Sequence, residues 1–210
     1  MHHVNVELAE KVGRAAAAAG ARMIFMSTVK VHGEESDEPY RESSPIAPRG
    51  PYAESKARAE ERLRGIAGLR LTVLRPPLVY GPGVKANFRA LMRAVARGIP
   101  LPLAGVTNRR SILYAGNLAD AVIRCIAHSD PATYLVADGA PVSTAELCRR
   151  IGAALGRPAR LFPFPAAFLP EKLAGSLELD DAAIRGALGW QPPFSLEAGL
   201  RATAGWFRRG

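Results

Sequence analysis

Ile24-Phe25-Met26-Ser27-Thr28, then a turn at Gly33 and a long loop, then Pro51-Tyr52-Ala53-Glu54-Ser55-Lys56: this stretch decides how the rest of the 210-residue chain is read. Met23 to Met26 is an unbroken apolar run, the pattern of a parallel strand covered on both faces. A hydroxyl, Thr28, follows at its end. Tyr52 and Lys56 are four residues apart, so a helix puts both on one face. An ammonium ~4 Å from a phenol, at an effective dielectric of about 20, favours the phenolate by roughly 4 kcal/mol. That is about 3 pKa units, enough to bring a phenol towards neutrality, where a general acid/base works best. Thr28 would hydrogen-bond the same substrate oxygen. The three groups together suit moving a proton on and off a carbinol oxygen while hydride leaves or joins its carbon. A Tyr-x-x-x-Lys pair by itself is common and often only structural; its neighbours give it weight.

Working outward, residues 5–19 read as a helix, with an alanine run that favours it and Gly20 to stop it. Residues 22–31 read as one buried strand. The 34–51 loop is rich in Pro, Ser and charge, and its length points to function. Residues 52–65 form the helix of Tyr52 and Lys56, with Glu60 and Glu61 on its outer face. Residues 69–74 are a second parallel strand, reached by a right-handed crossover. Arg75-Pro76-Pro77-Leu78-Val79-Tyr80-Gly81-Pro82-Gly83 then leaves the sheet at its carboxyl edge, where open α/β sheets bind ligands. An amphipathic helix over 84–98 turns Phe88, Leu91, Met92 and Val95 to one side. Residues 99–103 read as a short strand. The helix over 116–127 is expected to face Leu118, Val122, Ile123 and Ile126 inward, and 133–137 is a further strand. Ser143-Thr144-Ala145-Glu146 has capping-box spacing. Helices over 180–188 and 195–208 flank Gly189-Trp190-Gln191-Pro192-Pro193, with Trp190 as an apolar anchor.

Composition narrows the class. Hydrophobic residues make up 48% and charged residues 22%, a globular balance. The apolar runs are too short to span a bilayer. Cys125 and Cys148 read as reduced core thiols, and the expected location is the cytoplasm. No metal-ligand spacing is present. The net charge of +9 raises nucleic-acid binding. The arginines, however, are spread along helices without interleaved aromatics, so a basic nucleic-acid-binding domain ranks below a site for a diphosphate.

Phe25-Met26-Ser27-Thr28-Val29-Lys30-Val31-His32-Gly33, the Pro51–Lys56 hexapeptide and the Arg75–Gly83 stretch, in that order, resemble the extended short-chain dehydrogenase/reductases. The closest type is the UDP-glucose 4-epimerase-like group of the NAD-dependent epimerase/dehydratase family. The resemblance implies an α/β fold: the C-terminal part of a doubly wound parallel-sheet (Rossmann) domain over 1–81 and 111–139, plus a small α/β substrate-binding domain over 82–110 and 140–210. It implies Thr28, Tyr52 and Lys56 as the catalytic set and NAD or NADP as cofactor. Asn5, Ser27, Tyr52, Lys56 and Pro77 would face the cofactor. Leu78, Asn87, Leu101, Leu103, Arg110 and Lys172 would face a UDP-sugar, with Asn87 and Arg110 at its diphosphate. Leu78 stands where many epimerases have Asn. Lys172 stands near the place of a family Arg, offering a point charge without the fork. Pairing of two copies through the Tyr52 helix is common in the family.

The resemblance also implies an absence. No Gly-rich pyrophosphate turn of the dinucleotide-binding type precedes Asn5, so the chain is expected to lack the first half of the Rossmann domain. An exposed parallel-sheet edge and self-association would follow. Val29-Lys30 follows Thr28, where the family's dehydratases place Asp-Glu, which disfavours dehydration. The function expected is a nucleotide-sugar (UDP-hexose) 4-epimerase or 4-ketoreductase. The alternative is a truncated homologue without cofactor that binds UDP-sugar or serves as a partner subunit.

Overall fold

The computed structural model describes residues 3–128 and 130–209. A π-helical turn over His3–Leu8 leads into α1 (Ala9–Ala18). β1 (Arg22–Met26), α2 (Gly50–Arg64) and β2 (Arg70–Arg75) follow as a strand–helix–strand unit. β1 pairs parallel to β2, Met26 opposite Leu74, and β2 pairs parallel to β5 (Ala132–Leu135). The strand order is β1-β2-β5, which leaves β1 at an edge among the described residues.

Strand alternation explains the two buried faces. Phe25, Leu71 and Val73 point to one side and pack with Ala9 of α1 and Ala59 and Leu63 of α2. Gly13 permits that approach, since a Cβ there would lie 2.6 Å from Leu63 Cδ2. Leu74, Tyr134 and the partly buried Ile24 and Met26 point to the other side, against Ala121 and Cys125 of α4 (Ala115–Ala127), Ile184 of α7 (Ala182–Leu188) and Trp190. Trp190 is the anchor expected, and its indole NH donates to Asp120 Oδ2 at 2.9 Å. A second parallel pair joins β3 (Leu78–Tyr80) to β4 (Ile112–Tyr114). Around it, α3 (Ala86–Ala96), α5 (Thr144–Leu155) and α8 (Leu196–Arg209) enclose another core containing Phe88, Met92, Ile151 and Leu200. Ser143 caps α5 by accepting from Glu146 N at 3.0 Å. Both cysteines are free and buried. Among the described residues no helix is long and apolar enough to cross a membrane.

Three expectations need correction. The strand expected over 22–31 stops at Met26. Val29 N bonds Pro76 O, outside the strand ladder, and Thr28 Oγ1 accepts from Lys30 N, turning Val29–Val31 into a 3-10 turn. Residues 99–103 form no strand: a single bridge joins Leu101 to Leu161. On α4 Leu118 and Val122 pack against the core as expected, but the buried row is Asn117, Ala121 and Cys125, and Ile123 and Ile126 are 63% and 56% exposed. The small residues at four-residue spacing are the ones that fit against the sheet.

Candidate active site

β1 leads into Ser27 and Thr28 at the carboxyl edge of the sheet, and α2 brings Lys56 to the end of that strand, with Tyr52 one turn earlier on the same helix. Lys56 Nζ donates to the Met26 carbonyl at 2.8 Å and lies 4.8 Å from the centre of the Phe25 ring. That bond docks the first turns of α2 on the end of β1. Burial lowers the lysine's pKa, opposed by the Glu60 carboxylate. Tyr52 remains 43% exposed, and burial of the rest of its ring pushes the phenol upward. The depression expected from Lys56 is therefore not present in this arrangement. The ammonium is directed at a main-chain carbonyl, so desolvation decides the sign.

A buried ionic chain underlies the pair. Glu60 and Arg75 are 1% and 3% exposed. Arg75 grips Glu60 as a fork, Nε to Oε1 at 3.0 Å and Nη2 to Oε2 at 2.6 Å, and Arg64 adds a third bond at 2.7 Å. Arg75 Nη1 lies 2.9 Å from His32 Nε2, while His32 Nδ1 lies 3.0 Å from the Pro45 carbonyl. A guanidinium only donates and a carbonyl only accepts, so the proton sits on Nδ1 and Nε2 is bare. Burial first, and Arg75 second to it among the lowering influences, hold the imidazole below its usual range. Burial alone would raise the Glu60 carboxyl; the bonds of Arg75 first, then the nearby Ser27 hydroxyl, the Arg75 charge and the Arg64 bond, bring it below the ordinary value. Glu60 thus contradicts its expected place on the outer face, which only Glu61 keeps. A charged residue ending the apolar run Leu71-Thr72-Val73-Leu74-Arg75 was the available sequence signal, because such a charge must find a partner.

The remaining site residues divide. Ser27 is 3% exposed, and its hydroxyl, though near enough to Glu60 to help hold that carboxyl down, has no partner at hydrogen-bond length. Pro77 is buried just before Leu78, which is 41% exposed at the start of β3. Asn87 is exposed in the first turn of α3. Arg110 donates from Nη1 to Gly175 O at 2.8 Å, and Lys172 is exposed on α6 (Glu171–Ala174). Leu101 packs partly on the α3–α5–α8 core; Leu103, 1% exposed, lies inside it, so its side chain is closed to a ligand. The Asn5 side chain lies outside the described residues. No sequence pattern singled out a further polar pair, Asn117 and Asp138, which ties the start of α4 to β4. Asn117, fully buried, donates to Asp138 Oδ1 at 2.7 Å and is tied both ways to the Phe194 backbone.

These groups fit the nicotinamide end of a dinucleotide. The orphaned Ser27 hydroxyl follows β1, Lys56 is docked on the last residue of that strand with donors unspent, and the exposed Tyr52 stands one turn earlier on the same helix. Among the described residues no group of three or more His, Cys, Asp or Glu could hold a metal ion.

Residues 1–137 match the NAD dependent epimerase/dehydratase family. The chain is 38% identical over 203 residues to a UDP-glucose 4-epimerase of Vibrio cholerae, covering 87% of this chain and 62% of that protein. A UDP-N-acetylglucosamine 4-epimerase structure from Bacillus cereus superposes with a TM-score of 0.84 at 20% identity, over 98% of this chain and 73% of that one. MoeE5, solved in complex with UDP-glucuronic acid and NAD, superposes with a TM-score of 0.78 at 25% identity, over 98% and 71%. The chain spans about six tenths of the length of the curated relatives it matches.

Proposed function

We propose, for a chain that belongs to the NAD dependent epimerase/dehydratase family, hydride transfer at C4 of a UDP-hexose, as a 4-epimerase or 4-ketoreductase. The observation that carries this reading is the docking of Lys56 on the Met26 carbonyl where β1 ends, with Tyr52 one turn earlier on the same helix and Thr28 two residues beyond the strand. The Vibrio cholerae relative favours epimerisation, and the MoeE5 complex favours the UDP-sugar class.

Tyr52 is the general acid/base at the C4 oxygen. Its raised pKa keeps it a phenol at neutral pH, the form that donates a proton to a C4 carbonyl oxygen. In the oxidative direction Tyr52 acts as the phenolate, stabilised by the Lys56 ammonium on the same helical face, and takes the proton of the C4 hydroxyl as hydride leaves C4. Thr28 orients the C4 oxygen, and Lys56 also binds the nicotinamide ribose. Ser27, Pro77 and Asn5 face the cofactor. Bound NAD or NADP supplies or accepts the hydride. Asn87 and Arg110 hold the diphosphate, with Lys172 as a further cation and Leu78 and Leu101 along the nucleotide. In this reading the β1-β2-β5 sheet with its helices, residues 1–81 and 111–139, is the later part of a doubly wound domain. Residues 82–110 and 140–210 form the substrate-binding part, and the Tyr52 helix is the pairing surface for a second copy.

The test is titration of the purified chain with NADH and NADPH, followed by nicotinamide fluorescence, with and without UDP-glucose. Micromolar saturable binding supports the reading, and Tyr52→Phe should then abolish turnover while leaving UDP-glucose binding nearly unchanged. UDP-glucose binding without either dinucleotide would refute hydride transfer and leave a UDP-sugar binder.

A further inference from the structure

We propose that Glu60 is a positioning residue of this site: clamped by Arg75, its buried carboxylate pins the Tyr52 helix to the end of β2 and is the counter-charge that keeps Lys56 an ammonium. The proposal rests on the reading of Lys56 as a site residue and goes beyond the roles assigned above.

The geometry connects five segments. Glu60 stands one turn beyond Lys56 on α2, on the same face. Its two oxygens are taken by Arg75 from β2 and Arg64 from the last turn of α2. Arg75 passes its remaining direction to His32, just beyond the 3-10 turn, and His32 reaches Pro45 in the loop that precedes α2. Arg75 is also the residue immediately before Pro76, Pro77 and Leu78. The carboxylate is therefore the node at which helix, sheet edge and loop meet.

Charge bookkeeping gives the node a second consequence. Among the described residues, the groups that act on Lys56 are Glu60 on its own helix and the Met26 carbonyl and Phe25 ring from β1, with Tyr52 one turn earlier on the helix. Behind Glu60 stand two guanidiniums, Arg75 and Arg64, and an imidazole held neutral by its two partners. Glu60 is thus the one carboxylate among three cations. Arginine does not deprotonate in proteins. If the carboxylate is neutralised, the half-buried lysine is the group that gives up its proton, because burial already disfavours its charge.

Competitive acetylation with trace acetic anhydride from pH 7 to 11, read by mass spectrometry, measures this directly. The chain has five lysines, and Lys11, Lys30, Lys85 and Lys172 serve as internal references. In Glu60→Gln the Lys56 midpoint should fall by about one pH unit, making Lys56 about tenfold more reactive below its midpoint, with the other four unchanged. Glu60→Asp, which keeps the charge, should restore it most of the way. A folded Glu60→Gln protein whose Lys56 titrates within about 0.3 unit of the wild type overturns the proposal. Should Glu60→Gln fail to fold, the paired Glu60→Met/Arg75→Met variant removes the buried charges together, and a fall of the Lys56 midpoint is required of it, smaller because the Arg75 cation leaves too. Neither nucleotide nor sugar enters the measurement, so a failed NADH titration leaves its outcome untouched.

Discussion

Replacing Arg75 by Met should be among the most damaging single changes in this chain. Arg75 is 3% exposed, and its loss strands Glu60, 1% exposed, with a single remaining guanidinium that is itself 45% exposed. Two charge-assisted bonds to the carboxylate and one to His32 Nε2 disappear. Breaking a buried ion pair from one side costs about 3–5 kcal/mol, a large share of the roughly 5–15 kcal/mol that holds a domain together. For a chain of this size each kcal/mol moves Tm by about 2–4 °C, so the melting point should drop by about 6–20 °C. The pH dependence carries a signature. Glu60 has a folded pKa below its unfolded value, so its contribution is present above the unfolded value and is lost as pH falls through the folded one. The gap between wild type and Arg75→Met should therefore be widest near neutrality and close in acid as the carboxylate is protonated. Urea denaturation followed by circular dichroism, from pH 7 to well below the ordinary glutamate value of 4.5, measures it. Glu60→Met/Arg75→Met should recover at least half of the loss. A single variant within about 1 kcal/mol of wild type, or a double variant as weak as the single, would refute the reasoning.

Two further outcomes follow from the packing around Gly33 and the two cysteines. Gly33 has φ +150°, and a Cβ there would stand 2.4 Å from the Tyr40 hydroxyl, which donates to Glu35 O. Gly33→Ala should therefore destabilise by about 1–3 kcal/mol and loosen the stack of Tyr40 on His32, read as a lower urea midpoint and faster proteolysis within residues 34–49; an unchanged midpoint would exclude the contact. Burial pushes the Cys125 thiol up to about 11 and the Cys148 thiol up to about 12, so both stay protonated at pH 8 and should resist iodoacetamide until the chain unfolds. Rapid alkylation of either in the native protein would show that its core cluster is open.

Much about this protein is determined by the sequence alone. The apolar run Met23 to Met26, the four-residue spacing of Tyr52 and Lys56, the Ser143 cap and the Trp190 anchor are local patterns, and local patterns follow from the repeat of the backbone. The parallel strands, the shared helix face of the pair and the buried free thiols could be read from them. What only the tertiary structure decided depends on distance through space. Glu60 meets Arg75 across 15 residues and Arg75 meets His32 across 43; helix periodicity, blind to both, put Glu60 on the surface. The face of α4 was likewise settled by which residues are small enough to approach the sheet, not by which are most apolar. The direction of the Tyr52 shift turned on where the Lys56 ammonium points and how much water each group loses, and desolvation has no value until the chain has closed around the group.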